Sequence, residues 1–232
     1  MQTAIVTGAS RGLGLALARG LADRGWSLVI DARGGAALDE AAAELAQRTT
    51  VRALAGDITD PAHRKALVAT ARDLGGFRAV INNASLLGPS PQPALVAYPL
   101  DVLREVYEVN VIAPLALIQE ALPYLRPGAV IVDVTSDAAV EAYAGWGGYG
   151  SSKAALEQLT AILGEEQPQL RVYRVDPGDL RTQMHQEAFP GEDISDRPLP
   201  EVAVPGLLAL IEGDLPSGRY RAQELAHESV PA

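Results

Sequence analysis

Tyr149-Gly150-Ser151-Ser152-Lys153 opens a stretch whose apolar residues, Ala154, Leu156, Leu159 and Ile162, recur at helical spacing. A separation of four puts the phenol and the ammonium on one helix face, one turn apart. A free tyrosine titrates near ~10, too high for an efficient base at neutral pH. A fixed ammonium beside it favours the phenolate. Lowering the phenol pKa by roughly three units corresponds to ~4 kcal/mol of differential stabilisation. Such a pair could pass a proton to or from the oxygen of a carbonyl or alcohol substrate. Alone it proves little, because a packed tyrosine and a surface lysine meet this spacing often by chance.

A second candidate lies at the other end of the chain. Thr7-Gly8-Ala9-Ser10-Arg11-Gly12-Leu13-Gly14 follows an apolar run and opens a helical pattern. Glycines there permit a tight turn and bring backbone N–H groups close to a pyrophosphate, and the helix N-terminus adds partial positive charge. The spacing is G-x-x-x-G-x-G rather than the commoner G-x-G-x-x-G of dinucleotide sites. The G-K-[ST] ending of a nucleoside-triphosphate loop is missing. Beyond it, Val29-Ile30-Asp31-Ala32-Arg33 carries both cofactor signals: a carboxylate that would accept from a ribose 2′-OH and an arginine that would clamp a 2′-phosphate.

These residues need a scaffold, and the chain supplies alternating short β-rich runs and longer helical patterns, the signature of βαβ units. Strands are expected at Thr3–Val6, Ser27–Ile30, Val51–Ala55, Ala79–Ile81, Ala129–Val134 and Arg171–Val175, with a short seventh near Arg219–Tyr220. Helices are expected to start near Gly12, Ala36, Pro61, Leu100, Tyr149 and Val202. Asp60-Pro61 places a capping carboxylate before a proline whose missing N–H costs nothing at that position. Right-handed crossovers then give an α/β fold: a doubly wound (Rossmann) parallel sheet of about seven strands, with ligands at the strands' carboxyl ends. A single domain over residues 1–232 is expected, with substrate loops at about 85–97, 137–147 and 180–200. The tail after Gln223 reads as loose.

Composition removes several function classes. A net charge of −10 argues against nucleic acid or an anionic membrane surface as partner. No apolar run approaches the ~18–20 residues of a membrane span, and MQTAIVTGAS does not read as a signal peptide. The chain has no cysteine, which suits a reducing cytoplasm and removes thiolate chemistry. His63, His185 and His227 show no ligand spacing, so no metal is expected. Asn83-Ala84-Ser85 fits a glycosylation sequon and reads as chance in a chain without a secretory signal.

With both motifs in this order, the sequence resembles the short-chain dehydrogenase/reductase family, whose phosphate loop reads T-G-x-x-x-G-x-G. The resemblance extends over nearly the whole chain. It implies cofactor contacts from Gly8, Ser10, Arg11, Gly12, Leu13 and Gly14, and from Asp57-Ile58 on the adenine side. Asn83, Ala84 and Ser85 match the family's N-N-A-G segment, with serine in place of its glycine. Pro177, Gly178, Leu180 and Thr182 match its P-G-x-[IV]-x-T, where Thr182 would hold the nicotinamide amide. The position that discriminates cofactors falls on Ala32, with Arg33 and Arg11 as phosphate-binding charges, so NADP(H) is expected over NAD(H). The reading in which Asp31 binds ribose keeps NAD(H) open.

The resemblance also implies a catalytic set of Asn110, Ser136, Tyr149 and Lys153. Ser136 would hydrogen-bond the substrate oxygen, Tyr149 would exchange the proton, and Lys153 would lower the tyrosine pKa and bind the nicotinamide ribose. Asn110 would kink its helix and hold a water joining Lys153 to solvent. Leu86, Asp137, Tyr143, Trp146 and Met184 are the expected substrate contacts, and with Leu87 and Phe189 they suggest an apolar or ring-bearing carbonyl or alcohol. Locally the chain is similar to sepiapterin reductase-like members, at Asn82–Gly88, Gly145-Trp146 and Glu165-Glu166. Arginines in Ser217-Gly218-Arg219-Tyr220-Arg221 stand where that enzyme uses an acidic residue, which argues against a pterin. Homodimers or homotetramers packed through Leu100–Tyr124 and Tyr149–Gly164 are implied. The alternative is a redox sensor that binds NADP(H) without turnover.

Overall fold

Thr3–Val6 (β1) is an apolar run covered on both faces, with Ala4, Ile5 and Val6 wholly buried. That is the pattern of a strand inside a parallel sheet. The computed structural model describes residues 2–228. Six more strands join β1: Ser27–Ala32 (β2), Val51–Ala55 (β3), Phe77–Asn82 (β4), Val130–Val134 (β5), Arg171–Asp176 (β6) and Gly218–Arg221 (β7). All pair in parallel in the order β3-β2-β1-β4-β5-β6-β7. Crossover direction reverses between β1 and β4, and this switch opens a crevice at their carboxyl ends.

Alternate strand residues feed two cores. Ala4, Val6, Leu28, Ile30, Val132 and Val175 pack against Gly12–Asp23 (α1), Gly35–Leu45 (α2) and Val204–Glu212 (α8). Ile5, Val29 and Val80 pack against Pro61–Asp73 (α3) and Ala113–Ala121 (α5). Gly147–Glu166 (α6) covers the sheet beyond them, where Leu163 joins Ile131 and Val172. The helix start at Pro61 is built as its sequence implies, with Asp60 accepting from the Ala62 N–H at 2.8 Å.

Leu100–Tyr107 (α4) runs through a π-helical turn, Glu108–Ile112, into α5, so the helix irregularity falls at Asn110. Pro114, four residues after Asn110, has no N–H to give the Asn110 carbonyl, so ordinary α-helical pairing fails there. Two further features depart from the expectations. Gln183–Ala188 (α7) is a short helix inside the expected 180–200 loop, capped by Thr182, whose hydroxyl accepts from the His185 N–H at 3.2 Å. Ala222–Glu228 (α9) is helical where a loose tail was expected, and residues 229–232 lie outside the described ones.

Candidate active site

A cavity of about 790 Å³ occupies the crevice between the β1 and β4 loops. Its floor is a junction between those loops. Thr7 Oγ1 accepts from the Asn83 and Ala84 N–H groups at 3.0 Å each, and Asn83 Nδ2 donates to the Thr7 and Gly8 carbonyls at 2.8 and 3.1 Å. Two glycines make the approach possible. Gly8 has φ 65°, and a Cβ on it would fall 2.9 Å from Ala84 Cα. A Cβ on Gly14 would fall 2.5 Å from the Gly8 carbonyl. Gly14 is therefore part of the junction and not of the cavity wall, which Gly8 and Ser10–Leu13 form. No side chain caps α1 and no acidic residue stands in its first turn, so its N–H groups face the cavity uncompensated. This arrangement fits a pyrophosphate.

At the β2 end of the cavity, Ala32 is half-buried and Arg33 is exposed, both on the wall. Arg33 makes no hydrogen bond or ion pair among the described residues. Asp31 is different: 1% exposed, it accepts from the Gly8 N–H at 2.9 Å through Oδ1 and meets His63 Nε2 at 3.1 Å through Oδ2. It offers no free oxygen to a ribose. Asp57 and Ile58 also line this end. The Thr59 backbone and hydroxyl groups, with Arg33 nearby, hold the Asp57 carboxyl below the usual carboxylate range. Arg11 reaches across the cavity mouth to Gln183 Oε1, a neutral partner that leaves its charge uncancelled.

Tyr149 and Lys153 stand at the opposite end, both on the wall and both buried. Lys153 Nζ lies 5.6 Å from the Tyr149 ring centroid and donates to the Val134 carbonyl at 2.7 Å. Burial pulls the Lys153 pKa down to about 8, while Asp133 and Glu157 pull it upward. Burial pushes the Tyr149 phenol well above its ordinary range, a hydrogen bond with Ser85 pulls it down, and Asp176 and Asp137 add to the rise. In this state the phenol is a proton donor. Ser85 Oγ in turn donates to Asn110 Oδ1 at 3.1 Å.

Asn110 is fully buried behind the cavity wall. Its Oδ1 accepts from the Leu86 N–H at 2.7 Å, and its Nδ2 donates to the Leu86 carbonyl at 2.9 Å and to Ser152 Oγ at 3.0 Å. Its side chain thus clamps the β4 loop to α6 and has nothing left for a water. Only the backbone carbonyl released by Pro114 could hold one. Ser136 is half-buried beside the cavity, and its hydroxyl donates to Asp137 Oδ1 at 2.8 Å.

The substrate side is apolar. Leu87, Ala138 and Tyr149 form a small cluster with Trp146, Met184 and Ala188 against it. The Trp146 ring meets Tyr149 edge-on at 5.8 Å and Phe189 at 5.8 Å. Leu86, Met184, Pro177, Gly178, Leu180 and Thr182 are on the cavity wall, whereas Asp137, Tyr143 and Trp146 are not. Tyr143 is turned outward, its hydroxyl 3.1 Å from both Asp137 Oδ2 and Glu141 Oε2, and those two carboxylates push its pKa up to about 12.

Sequence reasoning missed two buried acids. Asp133 lies within β5, held by Asn82 at 2.7 Å and Thr160 at 2.6 Å; burial raises its pKa, while those bonds and Lys153 lower it. A lone Asp inside Val-Ile-Val-Asp-Val is the signal that could have found it. Glu157, one turn beyond Lys153, accepts from Thr135 Oγ1 at 2.8 Å and from Arg219 Nε at 2.9 Å. Among the described residues no cluster of His, Asp and Glu is placed to hold a metal, and no helix is long and apolar enough to cross a membrane.

Comparison with known proteins agrees with this geometry. The family model described as "short chain dehydrogenase" matches residues 2–193. Tropinone reductase-like 3 of Erythroxylum coca is 35% identical over 83% of this chain and 75% of its own length. Sepiapterin reductase of Xenopus laevis is 34% identical over 79% of this chain and 75% of its own length. A short chain dehydrogenase of Shigella flexneri, solved in complex with NADP, superposes with a TM-score of 0.86 at 29% identity, covering 96% of this chain and 97% of that one. With its family model matched over most of its length, the chain belongs to the short chain dehydrogenase family.

Proposed function

We propose that the chain is an NADP(H)-dependent oxidoreductase that interconverts a carbonyl and an alcohol, with Tyr149 as general acid and base. The observation that carries this reading is one cavity with a bare helix N-terminus and free Arg33 at one end and buried Tyr149 and Lys153 at the other. The cofactor, when bound, supplies the hydride. The chain's own residues do the rest. Gly8–Leu13 hold the pyrophosphate, Ala32 leaves room for the 2′-phosphate, and Arg33 and Arg11 pair with it. The NADP in the Shigella relative supports the same choice.

Tyr149 donates its proton to the carbonyl oxygen in reduction and accepts one in oxidation. Ser136 turns its hydroxyl from Asp137 to that oxygen and stabilises the developing charge. Lys153 stabilises the phenolate and binds the nicotinamide ribose, and a water on the Asn110 carbonyl reconnects Lys153 to solvent. The apolar cluster of Leu87, Trp146 and Met184 favours an apolar or ring-bearing substrate. We further propose that residues 1–232 act as one domain, in the cytoplasm, as a homodimer or homotetramer.

An NADPH-consumption screen over diketones, quinones, keto-esters and pterins tests the reading. Tyr149→Phe is expected to lose turnover by at least ~10²-fold, the usual contribution of a positioned acid, with NADPH affinity nearly unchanged. Retained turnover removes Tyr149 from its role. NADPH binding without turnover on any carbonyl would favour a sensor instead.

A further inference from the structure

Asp31 stands where an acidic residue would be read as selecting NAD, one position before Ala32 and Arg33 at the end of β2. It lies on the cavity wall, yet it is 1% exposed and both its oxygens are engaged. One holds the Gly8 N–H. The other meets His63 Nε2, and because an ionised carboxylate only accepts, that contact is a bond from Nε2–H. His63 belongs to the first turn of α3, is 9% exposed, and its ring covers Gly56, where a Cβ would fall 2.3 Å from Nδ1. The Asp31 side chain thus points down to the helix layer, held there by a residue 32 positions away.

We propose that His63 determines cofactor choice by holding Asp31 away from the adenosine ribose and offsetting its charge. The inference rests on the NADP(H) reading above. Without the imidazole, Asp31 keeps one backbone donor and becomes a buried, poorly compensated carboxylate beside the phosphate loop. An anion there repels a 2′-phosphate, and its released oxygen is free to turn toward a ribose 2′-OH, the arrangement that favours NAD. Arg33 then binds the phosphate against a carboxylate that has lost one of its two donors. Asp57 is the other carboxylate near His63 at this end; its Oδ1 accepts from the Thr59 N–H and hydroxyl, and since it is present in every variant compared it does not alter the ratio between them.

Fluorescence titration with NADPH and with NADH tests this without any substrate. His63→Leu keeps the bulk over Gly56 and removes the donor. It is expected to lower the ratio of NADPH to NADH affinity by roughly ten-fold or more, as a carboxylate stripped of one donor and freed to turn toward the ribose does. Adding Asp31→Asn to that variant removes the charge while an amide oxygen still accepts from Gly8, and should restore the ratio. Equal losses for both cofactors, or an unchanged ratio, would overturn the proposal and mark the pair as a loop support only. If His63→Leu does not fold, Asp31→Asn alone decides: its ratio should hold or rise, and a fall overturns the proposal. Failure of the underlying reading looks different, because the unaltered protein would itself bind NADH more tightly.

Discussion

Lys153 carries a charge into a place where charge is costly. It is 2% exposed, the Val134 carbonyl is its hydrogen-bond acceptor, and burial lowers its pKa from 10.5 to about 8. The unfolded chain therefore holds more protons between those values, so stability rises with pH across that window. Below about pH 8 the cost is full and constant, on the order of 3 kcal/mol. Lys153→Met removes it and forfeits one hydrogen bond worth about 1 kcal/mol. The variant should be inactive yet more stable than the unaltered protein by roughly 1–2 kcal/mol at pH 7. Urea unfolding at pH 7 and pH 10 measures this, and the gain should shrink at the higher pH. A loss of stability at pH 7 would mean that Asp133 and Glu157 outweigh the burial. The same titration predicts that kcat/KM for carbonyl reduction falls as pH rises through about 8, because a neutral amine no longer favours the phenolate.

Among the elements, β7 does more than close the sheet edge. Arg219, which the sequence offers only as an argument against a pterin, donates to Glu157 on α6 at 2.9 Å, to the Ser136 carbonyl at 3.2 Å and to Asp176 at 3.4 Å. Asp176 also accepts from the Gly178 N–H at 2.9 Å, so one guanidinium ties β5, α6 and the Pro177–Gly178 loop together. Glu157 and Asp176 are 7% and 4% exposed, and Arg219→Ala would leave Glu157 with the Thr135 hydroxyl and Asp176 with the Gly178 N–H and the more distant Arg221. The expected cost is roughly 2–4 kcal/mol, at or below that of a broken buried pair because the arginine side chain keeps some contact with water. Thermal unfolding checks it, with partial rescue by Arg219→Lys. The strands themselves were legible because apolar, β-branched runs bounded by turn residues leave few alternatives. Helix α7 was not legible, since six residues, Gln-Met-His-Gln-Glu-Ala, carry no periodicity and depend on the Thr182 cap. The His63–Asp31 and Arg219–Glu157 pairs were equally hidden, because only the parallel topology brings residues 32 and 62 positions apart into contact. Tyr149, Lys153 and the glycine loop were legible because their spacing is itself local.

At the scale of the whole molecule, α6 faces two ways. Its inner side holds Tyr149 and Lys153, while Ile162 on the same helix is 44% exposed. Leu100 and Ile112, along the α4–α5 stretch, are 63% and 48% exposed. If these helices pack between copies, as the proposed homo-oligomer requires, burial of their apolar side chains must overcome repulsion between chains of net charge −10. Salt shortens that repulsion to about 8 Å at physiological ionic strength and leaves apolar burial nearly intact. Association should therefore strengthen from low to moderate salt, opposite to an assembly held by ion pairs. Light scattering should give two or four times the 24.4 kDa chain mass at 0.15 M salt. Ile162→Glu should lower the measured mass while circular dichroism stays unchanged, because the side chain lies outside the buried core. A mass of one chain at every ionic strength would overturn the oligomer.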